Sequence, residues 1–170
     1  APGGSDGRYV YYRKTTVRCI ASGVFVTPAS IQYNKDDKHS AWMVFGSVKK
    51  PGILGATQSF HLEHETGGNA DIKRVQQFEY FRKQLNNMAA KYNVPLKNVS
   101  HHGDANSQGM VYSMAKSNDL VRSFDIGTDI RQLDFATLNK WKPPVKENHI
   151  DYQFYAKGTE STIAGQYNDP

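Results

Sequence analysis

Met110-Val111-Tyr112-Ser113-Met114-Ala115 alternates in polarity, with Met110, Tyr112 and Met114 on one face. After a polar turn at Ser117-Asn118-Asp119, Leu120, Arg122, Phe124 and Ile126 alternate against Val121, Ser123 and Asp125. A third stretch sets Ile150, Tyr152, Phe154 and Ala156 against Asp151, Gln153 and Tyr155. Alternation with a period of two is the pattern of a half-buried antiparallel strand. The last third of the chain therefore reads as a hairpin and a returning strand, with no conventional catalytic cluster among them. That combination points to a structural or assembly role before an enzymatic one.

Toward the N-terminus, Arg8 to Lys14 and Thr16 to Ala21 are rich in Tyr, Val and Thr and read as strands. The pattern continues through Gly23 to Thr27 and stops at Pro28. Residues 29–58 read as a long loop holding an apolar island, Ala41-Trp42-Met43-Val44-Phe45, between stretches of turn chemistry. Ser59 to Glu65 alternates again, and Thr66-Gly67-Gly68-Asn69 breaks it. A helix follows over about 71–92: Ile72, Val75, Phe78, Phe81, Leu85, Met88, Ala89 and Tyr92 fall at three- and four-residue steps. Lys73, Arg74, Gln77, Arg82, Gln84 and Asn87 fall off that stripe. Asn93 and Pro95 stop the helix. Asn98 to Gln108 reads as a polar loop. The fold class expected is α+β, mainly β: an antiparallel β-sandwich or small barrel with one flanking helix. One domain over 1–170 is expected, with 1–7 and 159–170 as flexible tails.

Composition agrees with such a subunit. Hydrophobic residues make up 38% of the chain, low for a compact monomer, and ten Tyr with eight Phe suit surfaces buried on assembly. The formal net charge of +5 suits nucleic acid or an acidic partner, although Lys and Arg are scattered among acids. Cys19 is alone, so no internal disulfide framework exists. There is no apolar run long enough for a membrane span and no visible signal peptide.

The residues that carry chemistry are His61, Glu63, His64, Glu65, His101, His102 and Asp104. An H-x-E-H string on a strand places His61 and Glu63 on one face and His64 on the other. A zinc site there needs a further ligand, such as His101 or His102. The stretch from Gln77 through Tyr92-Asn93-Val94-Pro95 to Val99-Ser100-His101-His102-Gly103-Asp104 resembles the helix and second zinc histidine of peptidoglycan amidases. That resemblance implies a zinc-dependent hydrolase acting through His61, His102 and Asp104. The amidases also carry an early His on the first strand, and the first 38 residues here contain none. A small basic nucleic-acid-binding domain is a third reading. No Gly-rich phosphate loop opens a helix, and no cofactor is implied.

The order of elements resembles the inner tail-tube proteins of contractile-tailed bacteriophages and contractile injection systems. Four stretches carry the likeness: Thr16 to Ala21; Ser59 to Glu65 with Val75 to Leu85; Met110-Val111-Tyr112 to Phe124-Asp125-Ile126; and Gln132-Leu133-Asp134-Phe135 with Glu147 to Phe154. The resemblance implies a virion structural protein without catalysis, assembled in the host bacterial cytoplasm as stacked rings, hexameric in the family, around a hollow conduit. Implied partners are further copies, the tail sheath, the baseplate and tail terminator proteins, and the tape measure protein or DNA in the lumen. Lys35, Lys38, Trp42, Met43, Phe45, Lys49 and Lys50 would then dock between rings. Tyr112, Phe124, Tyr152 and Phe154 would form strand edges within a ring.

Overall fold

The computed structural model describes residues 9–107, 110–117, 120–122 and 151–156. Six strands form one sheet in the order β1-β2-β3-β4-β6-β5: β1 Val17–Val26, β2 His39–Ser47, β3 Leu54–His61, β4 Val99–Asp104, β5 Leu120–Arg122 and β6 Asp151–Ala156. Two α-helices are described, α1 Ala70–Lys91 and α2 Met110–Ser117, with short 3-10 turns at Ala29–Ile31 and Leu96–Asn98. Every neighbouring pair is antiparallel except β3 and β4, which run parallel with His61 opposite Asp104. Parallel neighbours cannot be joined by a tight hairpin and need a crossover. The 22-residue α1 is that crossover.

The expected antiparallel sandwich or small barrel is therefore corrected to a mixed sheet with helices packed on one face. Three sequence readings account for the difference. Residues 29–58 are not a long loop, because β2 and the first half of β3 lie within them, with the apolar island at the centre of β2. Met110 to Ala115 is not a strand but the body of α2. Val111 and Ala115, four residues apart, are both fully buried, so helical spacing wins over alternation. Asn98 to Gln108 is not a loop, because it contains β4. Arg8 to Lys14 also forms no strand over the residues described. The strands read from Thr16 to Thr27 and near Ile150 to Ala156 correspond to β1 and β6.

One face of the sheet carries the core. Phe60, Leu62, Phe78, Phe81, Ala105, Val111, Ala115, Leu120 and Phe154 form one cluster, and Val44, Ala56, Leu85, Ala89, Val94 and Val99 form a second. Phe78 of α1 meets Phe60 and Phe154 edge-on, with ring centroids 5.3 and 5.2 Å apart, a favoured aromatic geometry. The buried side of α1 is Ala70, Arg74, Gln77, Phe78, Phe81, Leu85 and Ala89, so Arg74 and Gln77 belong to the stripe from which their polarity had removed them. Ile72, expected on the stripe, is half exposed. The helix ends where Asn93 takes a positive φ of 56°, a left-handed C-terminal residue followed by Pro95. Among the described residues no helix is long and apolar enough to cross a membrane.

Candidate active site

The carboxyl ends of β3 and β4 lie side by side because the two strands are parallel, and this is where open α/β sheets bind ligands. Each strand ends on a residue with acid–base chemistry. His61 Nε2 stands 3.8 Å from Asp104 Oδ2, and both side chains are about one-third exposed. The second carboxylate oxygen of Asp104 accepts the Asn106 main-chain N–H at 2.8 Å, closing an Asx turn. The Asn106 side-chain amide donates to Leu62 O at 3.1 Å, and Leu62 N donates to Asp104 O at 2.9 Å. The turn after β4 is thereby laced to the turn after β3, on a fully buried Ala105. Gly103 makes the approach possible. Its φ is 145°, and a Cβ there would stand 2.8 Å from the Phe60 carbonyl carbon and inside contact of the carbonyl oxygen. No other residue fits between His102 and Asp104 without moving β3.

The neighbouring histidines serve the sheet. His101 is fully buried on the helix side, where Gln58 Nε2 donates to its Nδ1 at 2.8 Å. Ser40 Oγ donates to Gln58 Oε1 at 3.2 Å and so holds the amide in that orientation. Burial, then the charges of His102 and Arg82, lowers the His101 pKa to about 3, so the ring is neutral. His102 points to the opposite face, with Nε2 2.9 Å from Ser100 Oγ, which itself donates to Thr57 Oγ1 at 3.0 Å. Burial lowers its pKa as well.

Of the trio named for a zinc hydrolase, the structure joins His61 to Asp104 and commits His102 to Ser100. Among the described residues the one His/acid trio whose ligand atoms lie within 4.8 Å of one another is instead Asp36, Glu63 and His64. A cation already stands there: Lys38 Nζ pairs with Asp36 and lies 3.8 Å from Glu63 Oε2 and 3.4 Å from His64 Nδ1. Asn106 was not singled out in the sequence, although Gly103-Asp104-Ala105-Asn106 carries the glycine and the Asx-turn pair that could have marked it.

No family model matches the chain, and no curated protein matches it by sequence. Solved structures do match. An endonuclease/exonuclease/phosphatase family protein of Bacteroides thetaiotaomicron aligns at a TM-score of 0.64 and 18% identity, over 85% of this chain and 52% of its own. A mannosyl-6-phosphatase of the same organism aligns at 0.63 and 18%, over 86% and 55%. The human Nocturnin catalytic domain with bound sulfate aligns at 0.59 and 17%, over 85% and 50%. The fold is the one these proteins share. The chain spans about half the length of each of them.

This finding overturns the tail-tube resemblance. The shared fold is that of these proteins and not the antiparallel sandwich that the resemblance required, so the virion subunit, its stacked rings and its sheath, baseplate, terminator and tape-measure partners are withdrawn, as is the expectation of a chain without catalysis, which came with that resemblance. The residues assigned to ring contacts have other places. Lys35 sits at positive φ in the turn closed by Asp36 N and Tyr33 O. Lys38 is buried. Trp42 stacks on Phe25 with centroids 5.3 Å apart, Met43 is buried, and Phe45 lies over Gly55, all three within β2 and not on a docking loop. Lys49 and Lys50 are exposed beside the β2–β3 turn. Tyr112 lies on α2. Phe154 is fully buried and paired on both sides, with His101 of β4 and Arg122 of β5, and Tyr152 pairs with Gly103 of β4. Phe124 lies outside the described residues.

Proposed function

We propose that the chain carries a hydrolytic site for phosphoesters, with His61 as the proton-transfer group and Asp104 as its partner. The observation that supports this most directly is the His61–Asp104 pair at the carboxyl ends of the parallel strands, in a fold shared with a mannosyl-6-phosphatase and with a Nocturnin domain that holds sulfate. Histidine is the side chain whose proton exchange falls nearest neutral pH. A carboxylate beside it stabilises the imidazolium formed when the ring takes a proton from an attacking water. The water oxygen bonds to phosphorus, the ester P–O bond breaks, and the proton passes from His61 to the departing oxygen. Asn106 holds the Asp104 carboxylate through one oxygen, which leaves the other turned to His61. The chain's net charge of +5 favours an anionic substrate.

The test is release of p-nitrophenol from p-nitrophenyl phosphate and its bis-ester by the purified chain, with a divalent cation supplied and with a chelator. His61→Gln and Asp104→Asn should each lower the rate on the order of 10²–10⁴-fold, the usual worth of a positioned acid–base group. Hydrolysis by the two variants at the wild-type rate, or none by the wild type under either condition, refutes the assignment.

A further inference from the structure

Arg74 and Gln77 are polar yet buried on the core side of α1, 5% and 0% exposed. A buried guanidinium is costly unless its donors are met. They are met by one short segment, residues 63–65, and by Asp71 of the same helix. Arg74 Nε donates to Glu63 O at 2.7 Å, Nη2 donates to Glu65 O, and Nη1 pairs with the Asp71 carboxylate at 2.6 Å. One turn further along the helix, Gln77 Oε1 accepts the Glu63 N–H at 3.0 Å, while its Nε2 donates to Ile31 O at 3.2 Å. The helix thus holds both main-chain groups of Glu63 and the carbonyl of Glu65. From the other side, Asp104 and Asn106 hold both main-chain groups of Leu62. The chain leaving β3 is gripped on two sides, starting at the residue after His61.

We propose that Arg74 and Gln77 are positioning residues for His61: they set the path of residues 62–65, and through it the approach of the His61 ring to Asp104. The inference rests on His61 acting on a phosphoester. These side chains meet main-chain groups that would otherwise lose their partners, and they do so with a directed geometry that apolar packing does not impose. The rest of the buried stripe is Ala70, Phe78, Phe81, Leu85 and Ala89, and an apolar residue at 74 or 77 would extend it without any charge to bury. Arginine suits the place because two separate nitrogens of its planar fork reach the Glu63 and Glu65 carbonyls in a fixed geometry, which the single, freely rotating ammonium of a lysine does not reproduce.

The experiment compares Arg74→Lys, Gln77→Leu and Gln77→Glu with the wild type, the last keeping the acceptor for Glu63 N–H. Two quantities are read: kcat and KM for bis(p-nitrophenyl) phosphate, and the titration midpoint of the His61 imidazole by NMR. Arg74→Lys and Gln77→Leu should lower kcat on the order of 10–100-fold, the cost of misplacing a reacting group by a fraction of an ångström to one ångström. KM should stay within about twofold, since no substrate contact is lost. The His61 midpoint should move in both, and Gln77→Glu should retain most of the wild-type values. Variants that melt earlier but keep kcat per folded molecule and the His61 midpoint overturn the proposal. If the wild type hydrolyses neither ester, the phosphoester reading falls and the His61 midpoint alone decides positioning: a shift upholds it and an unchanged midpoint overturns it. If Arg74→Lys does not fold, the comparison of Gln77→Leu with Gln77→Glu carries the same decision.

Discussion

Lowering the pH should destabilise this protein through His101, and the magnitude follows from its surroundings. The ring is fully buried, and its Nδ1 accepts from Gln58, whose amide is held by Ser40. A proton on Nδ1 would face the Gln58 amide N–H, so protonation requires the amide to rotate and the Ser40 bond to break. Burial first, then the charges of His102 and Arg82, holds the folded-state pKa at about 3, against 6.5 for the free side chain. The folded pKa is the lower one, so the unfolded chain binds more protons between the two values. Stability is then full above pH 6.5 and declines as pH falls from 6.5 toward about 3. By linkage, moving from about pH 7.5 to about pH 5 removes roughly 2 kcal/mol through this residue alone. His102 acts in the same direction. The assay is urea unfolding followed by tryptophan fluorescence at the two pH values, for the wild type and His101→Gln. The variant should be less stable at neutral pH and should lose roughly 2 kcal/mol less on acidification. Equal pH dependence in the two proteins would refute the reasoning, because it would mean that His101 titrates alike folded and unfolded.

Gly103→Ala should test the strand approach that forms the site. The new Cβ would lie 2.8 Å from the Phe60 carbonyl carbon, where carbon atoms normally keep at least ~3.5 Å, so β3 and β4 must part by at least ~0.7 Å. Together with the strained φ, this should cost roughly 2–4 kcal/mol in urea unfolding and lower ester hydrolysis on the order of tenfold or more. A variant within about 0.5 kcal/mol of the wild type would show that the close approach is absent. Phe78→Ala should cost about 3–5 kcal/mol, because the ring is fully buried between Phe60, Phe154 and His101. Its measured check is the urea midpoint at unchanged slope.

How far the fold is legible depends on which residues a strand or helix buries. The helical stripe through Phe78, Phe81, Leu85 and Ala89 and the alternation in β1 and β6 are apolar, so their periods show. β4 hides because, after the buried Val99, its next inward residue, His101, and its outward ones, Ser100 and His102, are all polar and each has a polar partner across the sheet or along the strand. A strand whose polar groups are satisfied by neighbours looks like a loop until those neighbours are known. α2 fails for a different reason. Six residues, Met110 to Ala115, fit both a period of two and the spacing of Val111, Met114 and Ala115, and only packing decides between them. Losing β4 and turning α2 into a strand removed the parallel pair, and an all-antiparallel topology followed.

The same polar residues explain why the candidate site was half visible. His61 and Asp104 were grouped with His102 as one trio, and nothing short of the β3–β4 pairing shows that the first two meet while the third turns to Ser100. The low apolar content had suggested a surface waiting for partners. The structure gives it another meaning, since Ser40, Gln58, Glu63, Arg74, Gln77 and His101 are all buried and polar. All six take part in hydrogen bonds between separate parts of the chain: Ser40–Gln58–His101 joins β2, β3 and β4, and Arg74 and Gln77 tie α1 to the main chain of Glu63. An apolar core of similar volume can match or exceed such groups in stability, whereas directed hydrogen bonds hold one particular geometry. Both networks flank His61, one beneath the strand that carries it and one beyond the strand's end. Their placement is what a site needing a well-placed histidine requires, and it accounts for polarity that packing alone would not have selected.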